Sequence, residues 1–255
     1  MWRHPLPKAF PYVDGGLFAD QIDVPPLTEE LRDALLEISE GFDWSGVSPV
    51  IFGSLMEETL SHDERRKGGM HYTSVKNIHR LIDPLFLDGL KAELEGAEAR
   101  PVAGGSRTNA LNKLHDKIAG LRFLDPACGS GNFLTETYLE LRRIENRILA
   151  DLDKDGQLAL DLGDDLNPVR VSISHFHGFA CAVARTALWI AEQQALDDTE
   201  STISGLPRLP FTDTAHIQQG NALRLDWNEL LPGDHCDYVM GNPPFIGHVT
   251  KTAGQ

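Results

Sequence analysis

Two short segments carry residue types and spacings suited to chemistry, and each follows an apolar run that reads as a strand. The first is Asp125-Pro126-Ala127-Cys128-Gly129-Ser130-Gly131-Asn132-Phe133. Gly129 and Gly131 let backbone approach a ligand where a side chain would collide. The helix expected next aims its first amide N–H groups at any negative charge held there. A turn at the carboxyl end of a strand is also where open α/β sheets hold ligands. A dinucleotide fingerprint fails because its third glycine position is Leu134. A nucleophile elbow fails because Cys128 and Asn132 flank Ser130 where glycines are required, and a P-loop fails because no Gly-Lys-Ser/Thr follows. On this segment alone a purely structural Gly-rich turn stays open.

The second segment is Gly241-Asn242-Pro243-Pro244-Phe245, directly after Tyr238-Val239-Met240. Consecutive prolines fix φ and remove two backbone donors, which makes a rigid loop at a strand end. Such a loop can hold an Asn amide and an aromatic ring in fixed geometry. The Asn carbonyl and a proline carbonyl can accept hydrogen bonds from an exocyclic amine while Phe245 stacks on a base. A bland Pro-Pro turn is common, so the weight lies in the combination of both motifs, each behind an expected strand.

The elements that must position these loops follow from periodicity. Leu27, Leu31, Leu35 and Ile38 share one face of a helix over 27–40. Ser48-Pro49 opens a second helix through Leu55 and Met56, in the N-cap and first-turn order. Ser74 caps a third, with Val75, Ile78 and Ile82 apolar, which Pro84 is expected to interrupt. After a Pro/Gly-rich break at 101–105, a fourth runs to about Ile118, so residues 1–120 read as a mainly helical prelude. The pattern then alternates. A strand at 121–125 leads to a long helix with Phe133, Leu134, Tyr138, Leu141, Ile144 and Ile148 on one face. A solvated Asp-rich loop at 151–165, a strand at 171–179, a helix at 180–195, a loop at 197–214, and strands at 215–218 and 236–240 complete the chain. Strand alternating with helix predicts an α/β fold with a parallel sheet, so 121–255 reads as a separate α/β part.

Composition narrows the class further. The 255 residues carry a formal charge of −15, which argues against a free-standing nucleic-acid binder, because duplex DNA is held chiefly by Lys and Arg on phosphates. Any basic DNA-facing surface is expected in sequence outside this chain. No apolar run reaches the roughly 20 residues of a membrane span, and the N-terminus lacks a signal-peptide core. Cys128, Cys181 and Cys236 are too few and too scattered for a disulfide framework, so a reducing, cytoplasmic setting is expected. Cys128 reads as a small residue that fits its turn, without a nucleophilic duty. His175, His177 and Cys181 fall short of a closed four-ligand metal site, and no metal is expected. Arg65-Arg66-Lys67 is the densest basic run and reads as a solvated helix end or a phosphate contact. Trp44, Trp189 and Trp227 read as core or rim aromatics.

The residues DPACGSGNF at 125–133 and NPPF at 242–245 resemble the cofactor-binding and catalytic motifs of adenine-N6 DNA methyltransferases. The wider chain resembles the large restriction–modification proteins that join methylation to restriction or target recognition. Tyr12 to Phe18, Ile51 to Ser54 and Gly69-Met-His-Tyr-Thr-Ser74 fit the helical prelude of that group, and Gln219 to Asp226 fits its adenine-contacting strand and turn. The resemblance implies a Rossmann-like methyltransferase sheet and S-adenosyl-L-methionine as cofactor. It implies that Asp125, Pro126, Ala127, Gly129, Gly131, Asn132 and Phe133 line the cofactor pocket. Tyr72 and Thr73 would close over the methionine end, and Asn221 and Ala222 would lie near the adenine. Asn242, Pro243, Pro244 and Phe245 would hold the target adenine of DNA, in a direct, metal-free methyl transfer. A protein-glutamine or RNA methyltransferase also uses an Asn-Pro-Pro-aromatic loop, and a non-catalytic remnant would keep the fold without the pocket.

Two departures from that pattern generate expectations. The family carries an acidic residue after its second strand, on the cofactor ribose, whereas no carboxylate occurs here between Asp165 and Glu192. The junction Gly178–Phe179 reads as if about half a dozen residues were missing, either because the protein lacks them or as a break in the chain, with the break slightly favoured. These 255 residues are accordingly expected to bind the cofactor weakly. The chain also ends ten residues after Phe245, where the family continues with further strands and a recognition domain. DNA would be engaged through that domain.

Overall fold

The computed structural model describes residues 26–42, 46–51, 54, 73–156, 171–175, 178–203 and 215–243, with 171–180 and 215–216 described by backbone alone. Four parallel strands form its sheet: β1 Phe123–Asp125, β2 Val171–His175, β3 Ala215–Gln219 and β4 Tyr238–Val239, in the order β3-β2-β1-β4. The order reverses direction at β1, which leaves β1 and β4 as neighbours although 115 residues separate Phe123 from its partner Tyr238.

The described helices are α1 Glu29–Gly41, α2 Val75–Ile82, α3 Asp88–Glu98, α4 Ser106–Gly120, α5 Asn132–Lys154 and α6 Gly178–Thr202; α5 and α6 lie against the sheet, and α2, α3 and α4 pack on α5. The long helix α5 forms as its spacing predicts. Phe133, Leu134, Tyr138, Leu141, Ile144 and Ile148 are all buried, against α2, α3, α4 and α6. Helix α6 lies on β2 and β3, and Arg185 fixes it there by donating to the Ile217 carbonyl at 2.9 Å. One core runs from Ile78 to Met240. Within it Phe86, Phe123 and the partly buried Tyr238 cluster with ring centroids 5.1–5.3 Å apart, Phe123 stacked on Tyr238 and Phe86 tilted against both, joining the helical segment to both central strands. Each such buried aromatic contributes roughly 1.5–3 kcal/mol by removing apolar surface from water.

Several expectations change. Pro84 does not interrupt the helical path. Asp83–Leu87 widens into a π turn that joins α2 to α3, with the Asp88 N–H reaching the Asp83 carbonyl. The wider turn absorbs the donor that proline lacks, so Phe86 and Leu87 still reach the core. The loop expected from residue 197 begins later, because α6 continues to Thr202 with Thr199 and Ile203 buried. The loop expected from residue 151 also starts later, since α5 reaches Lys154. The break expected at Gly178–Phe179 is absent: both residues belong to the first turn of α6, and the backbone is continuous.

Helix α1 forms with Thr28 accepting from the Leu31 N–H at 3.2 Å and Glu29 and Glu30 favouring its N-terminal dipole. Its apolar side carries Leu31, Leu35 and Ile38, each about half exposed like Leu27 just before it, and the helix buries no residue. Of the helix expected from Ser48, residues 48–51 and 54 are described: Ser48 to Val50 form a turn, with the Ile51 N–H on the Ser48 carbonyl at 3.0 Å, and Ile51 and Ser54 are helical; the Arg65-Arg66-Lys67 run and Trp44 lie outside the described residues. No described helix is long and apolar enough to cross a membrane.

Candidate active site

Both chemistry-bearing loops leave the same end of neighbouring strands. Sheet pairing carries β4 one step past its last ladder residue, where the Met240 N–H donates to the Leu124 carbonyl at 3.0 Å. Gly241 then crosses directly over the Asp125 side chain. A Cβ at 241 would land on the Asp125 carboxylate, and φ is +155°, a conformation side-chain-bearing residues avoid. Met240 is held from the opposite side by the Thr137 hydroxyl on α5, 3.7 Å from its Sδ.

The turn after β1 is built as its glycines predict. Gly129 and Gly131 have φ of +57° and +79°. A Cβ on Gly131 would approach the Ala184 Cβ of α6 to 3.0 Å, so this glycine also lets the two helices close on the turn. Pro126 and Ala127 are half-buried, Ser130 donates to the Asn132 Oδ1 at 3.1 Å, and Asn132 and Phe133 are buried where α5 starts.

Asp125 is fully buried between this turn and Gly241. Its Oδ1 accepts the Ala127 N–H at 2.9 Å, while Oδ2 has no hydrogen-bond partner among the described residues. Desolvation pushes the carboxyl up to about 7, and the single N–H opposes this only in part. Cys128, beside it, is a buried free thiol raised well above its ordinary range by burial and by the Asp125 and Cys181 charges. That agrees with a packing role and not a nucleophilic one.

Thr73 stands at the other wall. It lies just before α2, whose N-cap is Ser74, and the Asn242 side-chain Nδ2 donates to its hydroxyl at 3.3 Å. Sequence reasoning places Thr73 with the cofactor and Asn242 with the substrate; the fold brings the two together. Asn221 and Ala222 follow β3, two strands from β1, so roughly 10 Å away by ordinary strand spacing. There Asn221 Oδ1 caps its own turn by accepting the Leu223 N–H at 3.0 Å, and the indole of the partly exposed Trp227 donates to the Ala222 carbonyl at 2.7 Å. Pro243 is exposed, and Tyr72, Pro244 and Phe245 lie outside the described residues.

Behind Thr73, α2 is cross-linked to α5 by groups the motifs did not reveal. The His79 ring meets Asp83 at 2.7 Å and Glu136 at 3.1 Å. Burial alone would lower His79, but the two carboxylates outweigh it and hold the imidazole above its usual range. Glu140, one turn further along α5, pairs with Lys91 at 3.0 Å and with Arg143. His79, Glu136 and Glu140 offer ligand atoms within 4.8 Å of one another, but Lys91 and Arg143 already compensate the carboxylates, so the cluster is an ion-pair staple. The signal for it is the i,i+4 spacing of His79 with Asp83 and of Glu136 with Glu140.

A parallel sheet that reverses its order at β1, with two loops leaving that switch point, is the α/β arrangement in which open sheets hold ligands. The domain model described as "MmeI, DNA-methyltransferase domain" matches residues 102–255. The chain is 37% identical over 249 residues to DNA methyltransferase A of Bacillus subtilis strain 168, covering 94% of this chain and 27% of that protein. It also matches the solved structure of the type IIL restriction-modification enzyme MmeI in complex with DNA, with a TM-score of 0.81 and 38% identity over 96% of this chain and 32% of that one. The chain therefore belongs to the MmeI DNA-methyltransferase domain family, and its mostly helical architecture with a small parallel sheet is that of the MmeI structure. It spans roughly a quarter of the curated relative and a third of the solved one.

Proposed function

We propose that this chain is the cofactor-binding and catalytic segment of a DNA adenine-N6 methyltransferase that uses S-adenosylmethionine. The observation that carries this reading is the junction of the two loops: Gly241 packed on Asp125 sets Asn242 at the mouth of the Gly-rich turn. The residues fit the cofactor at the β1 end. Gly129 and Gly131 open the turn, α5 presents its N-terminal amides, and Asp125 keeps an unpartnered buried oxygen suited to a cationic, donor-bearing ligand. The ribose carboxylate of the family pattern has no counterpart between Asp165 and Glu192, which supports weak binding by these residues alone.

When bound, the cofactor supplies a methyl group on a sulfonium, a strong electrophile. The protein orients the nucleophile. Asn242, through its side-chain carbonyl, and Pro243, through its backbone carbonyl, accept the amine protons of an extruded adenine. That raises electron density on nitrogen and offsets the positive charge developing there. Phe245 stacks on the base. Fixed positioning of amine and methyl provides much of the remaining rate. The DNA itself is engaged through a recognition domain outside these residues, consistent with a charge of −15 that does not favour phosphate.

The test is methyl transfer from labelled cofactor to duplex DNA by the full-length protein, followed by nucleoside analysis. N6-methyladenine is expected. Asn242→Ala is expected to lower turnover on the order of a hundredfold or more while leaving cofactor affinity nearly unchanged. A methylated cytosine, or near-normal turnover by the variant, would refute the reading.

A further inference from the structure

We infer that Thr73 is a positioning residue for Asn242: its hydroxyl accepts the Asn242 Nδ2–H and so turns the Asn242 Oδ1 toward the substrate amine. The inference rests on the methyltransferase reading above and deepens it. An amide presents a donor at one end and an acceptor at the other, and only the acceptor end can take protons from an exocyclic amine. Asn242 is solvent-exposed, so its backbone position alone leaves both rotamer and amide orientation undetermined. One side-chain hydrogen bond resolves this, from Nδ2 to Thr73 Oγ1 at 3.3 Å, across 169 residues of chain. No bond to the Asn242 Oδ1 is seen among the described residues, which leaves it available.

Thr73 is suited to this because it is itself held. It sits immediately before α2, which buries Ile78 and Ile82 in the core and is tied to α5 through His79 and Glu136. Helix α5 begins at Asn132, at the end of the Gly-rich turn. From the other direction, β4 is fixed to β1 through the Met240 N–H on the Leu124 carbonyl. Asn242 is thus gripped between the wall that α2 anchors and the strand that carries it. Fixing one exposed amide in its productive orientation before substrate arrives removes an entropic cost from the reaction step.

The experiment compares Thr73→Val and Thr73→Ser in the full-length enzyme. It reads the single-turnover methylation rate at saturating cofactor and, separately, cofactor affinity by equilibrium binding, with thermal melts to follow folding. Valine keeps the shape of threonine and loses the acceptor; serine keeps the acceptor and loses the methyl. A positioning role predicts that Thr73→Val lowers the rate at saturating cofactor about tenfold or more, whatever the change in cofactor affinity, and that Thr73→Ser restores that rate to within threefold. A saturated rate within threefold of normal for Thr73→Val would overturn the inference, and so would a serine variant as slow as the valine one. Should Thr73→Val melt at the assay temperature, Thr73→Ala is read by the same criterion. Asn242→Ala keeps the two levels apart. If the unaltered enzyme forms no N6-methyladenine, the methyltransferase reading itself fails; if Asn242→Ala is active, the catalytic role of Asn242 fails and the positioning role with it; if Asn242→Ala is inactive while Thr73→Val is normal, only the positioning role fails.

Discussion

Among the described residues two of the buried carboxylates, Glu145 and Asp125, have opposite surroundings. Glu145, in the middle of α5, pairs with Arg142 one turn earlier and with His115 of α4 at 3.0 Å. Arg142 Nη2 reaches the Thr199 hydroxyl of α6 at 3.1 Å, while its Nε has no hydrogen-bond partner among the described residues. Burial would push Glu145 up, but the Arg142 charge and the His115 bond outweigh it and hold the carboxyl below its ordinary range. Asp125, at the end of β1, has one backbone N–H, no cation and an orphaned oxygen, and burial pushes it up to about 7. Where three helices meet, the Glu145 charge is compensated by a cation and an imidazole, Arg142 and His115. Where two strand ends meet, the polar group is left incomplete, which is what a site awaiting a ligand requires.

The largest expected effect tests the compensated side of that contrast. Glu145→Ala leaves Arg142 buried without its carboxylate and should lower stability to urea by about 3–5 kcal/mol. A loss under 1 kcal/mol would show that water or another acidic group already shares the arginine.

The uncompensated side makes a prediction of opposite sign in pH. Asp125 holds its proton more tightly folded than unfolded, so its contribution is fully present below about pH 4 and is lost as pH rises toward 7. The loss is roughly 4 kcal/mol at most, from the span between ordinary and raised values. Glu145 behaves the other way: its contribution is present above the ordinary carboxylate range and is lost as pH falls through its depressed value. Asp125→Asn should therefore flatten the decline in stability between pH 4 and 7 and leave the acid-side loss in place. Urea midpoints measured across pH for both proteins check this; an unchanged slope would mean that Asp125 is already ionised in the folded chain.

The smallest effect sharpens the comparison by removing burial. Lys117 of α4 pairs with Glu93 of α3, both about half exposed, and Lys117→Ala should cost well under 1 kcal/mol and vanish at high salt. A loss comparable to that of Glu145→Ala would deny that desolvation separates the two pairs.

Much of this was legible in the residues themselves. The spacing of Phe133, Tyr138, Leu141, Ile144 and Ile148 determined a helix and the face it buries, because side-chain direction repeats with the backbone. Gly129 and Gly131 determined a tight turn, because φ at those positions excludes most side chains. The motif at 241–245 announced its place at a strand end through local chain stiffness. Local rules also erred where a longer-range gain prevailed: Pro84 reads as a stop, but the core gains Phe86 and Leu87 by carrying the helix through a π turn. The unburied face of α1 shows the converse, since periodicity specifies a stripe but not what covers it. Only the tertiary structure decided that β1 and β4 are neighbours, that Gly241 closes on Asp125, and that Thr73 meets Asn242. These depend on strand order and on contacts between residues more than a hundred positions apart, where burial and orphaned hydrogen bonds arise from the packing of several elements and from no single stretch of chain.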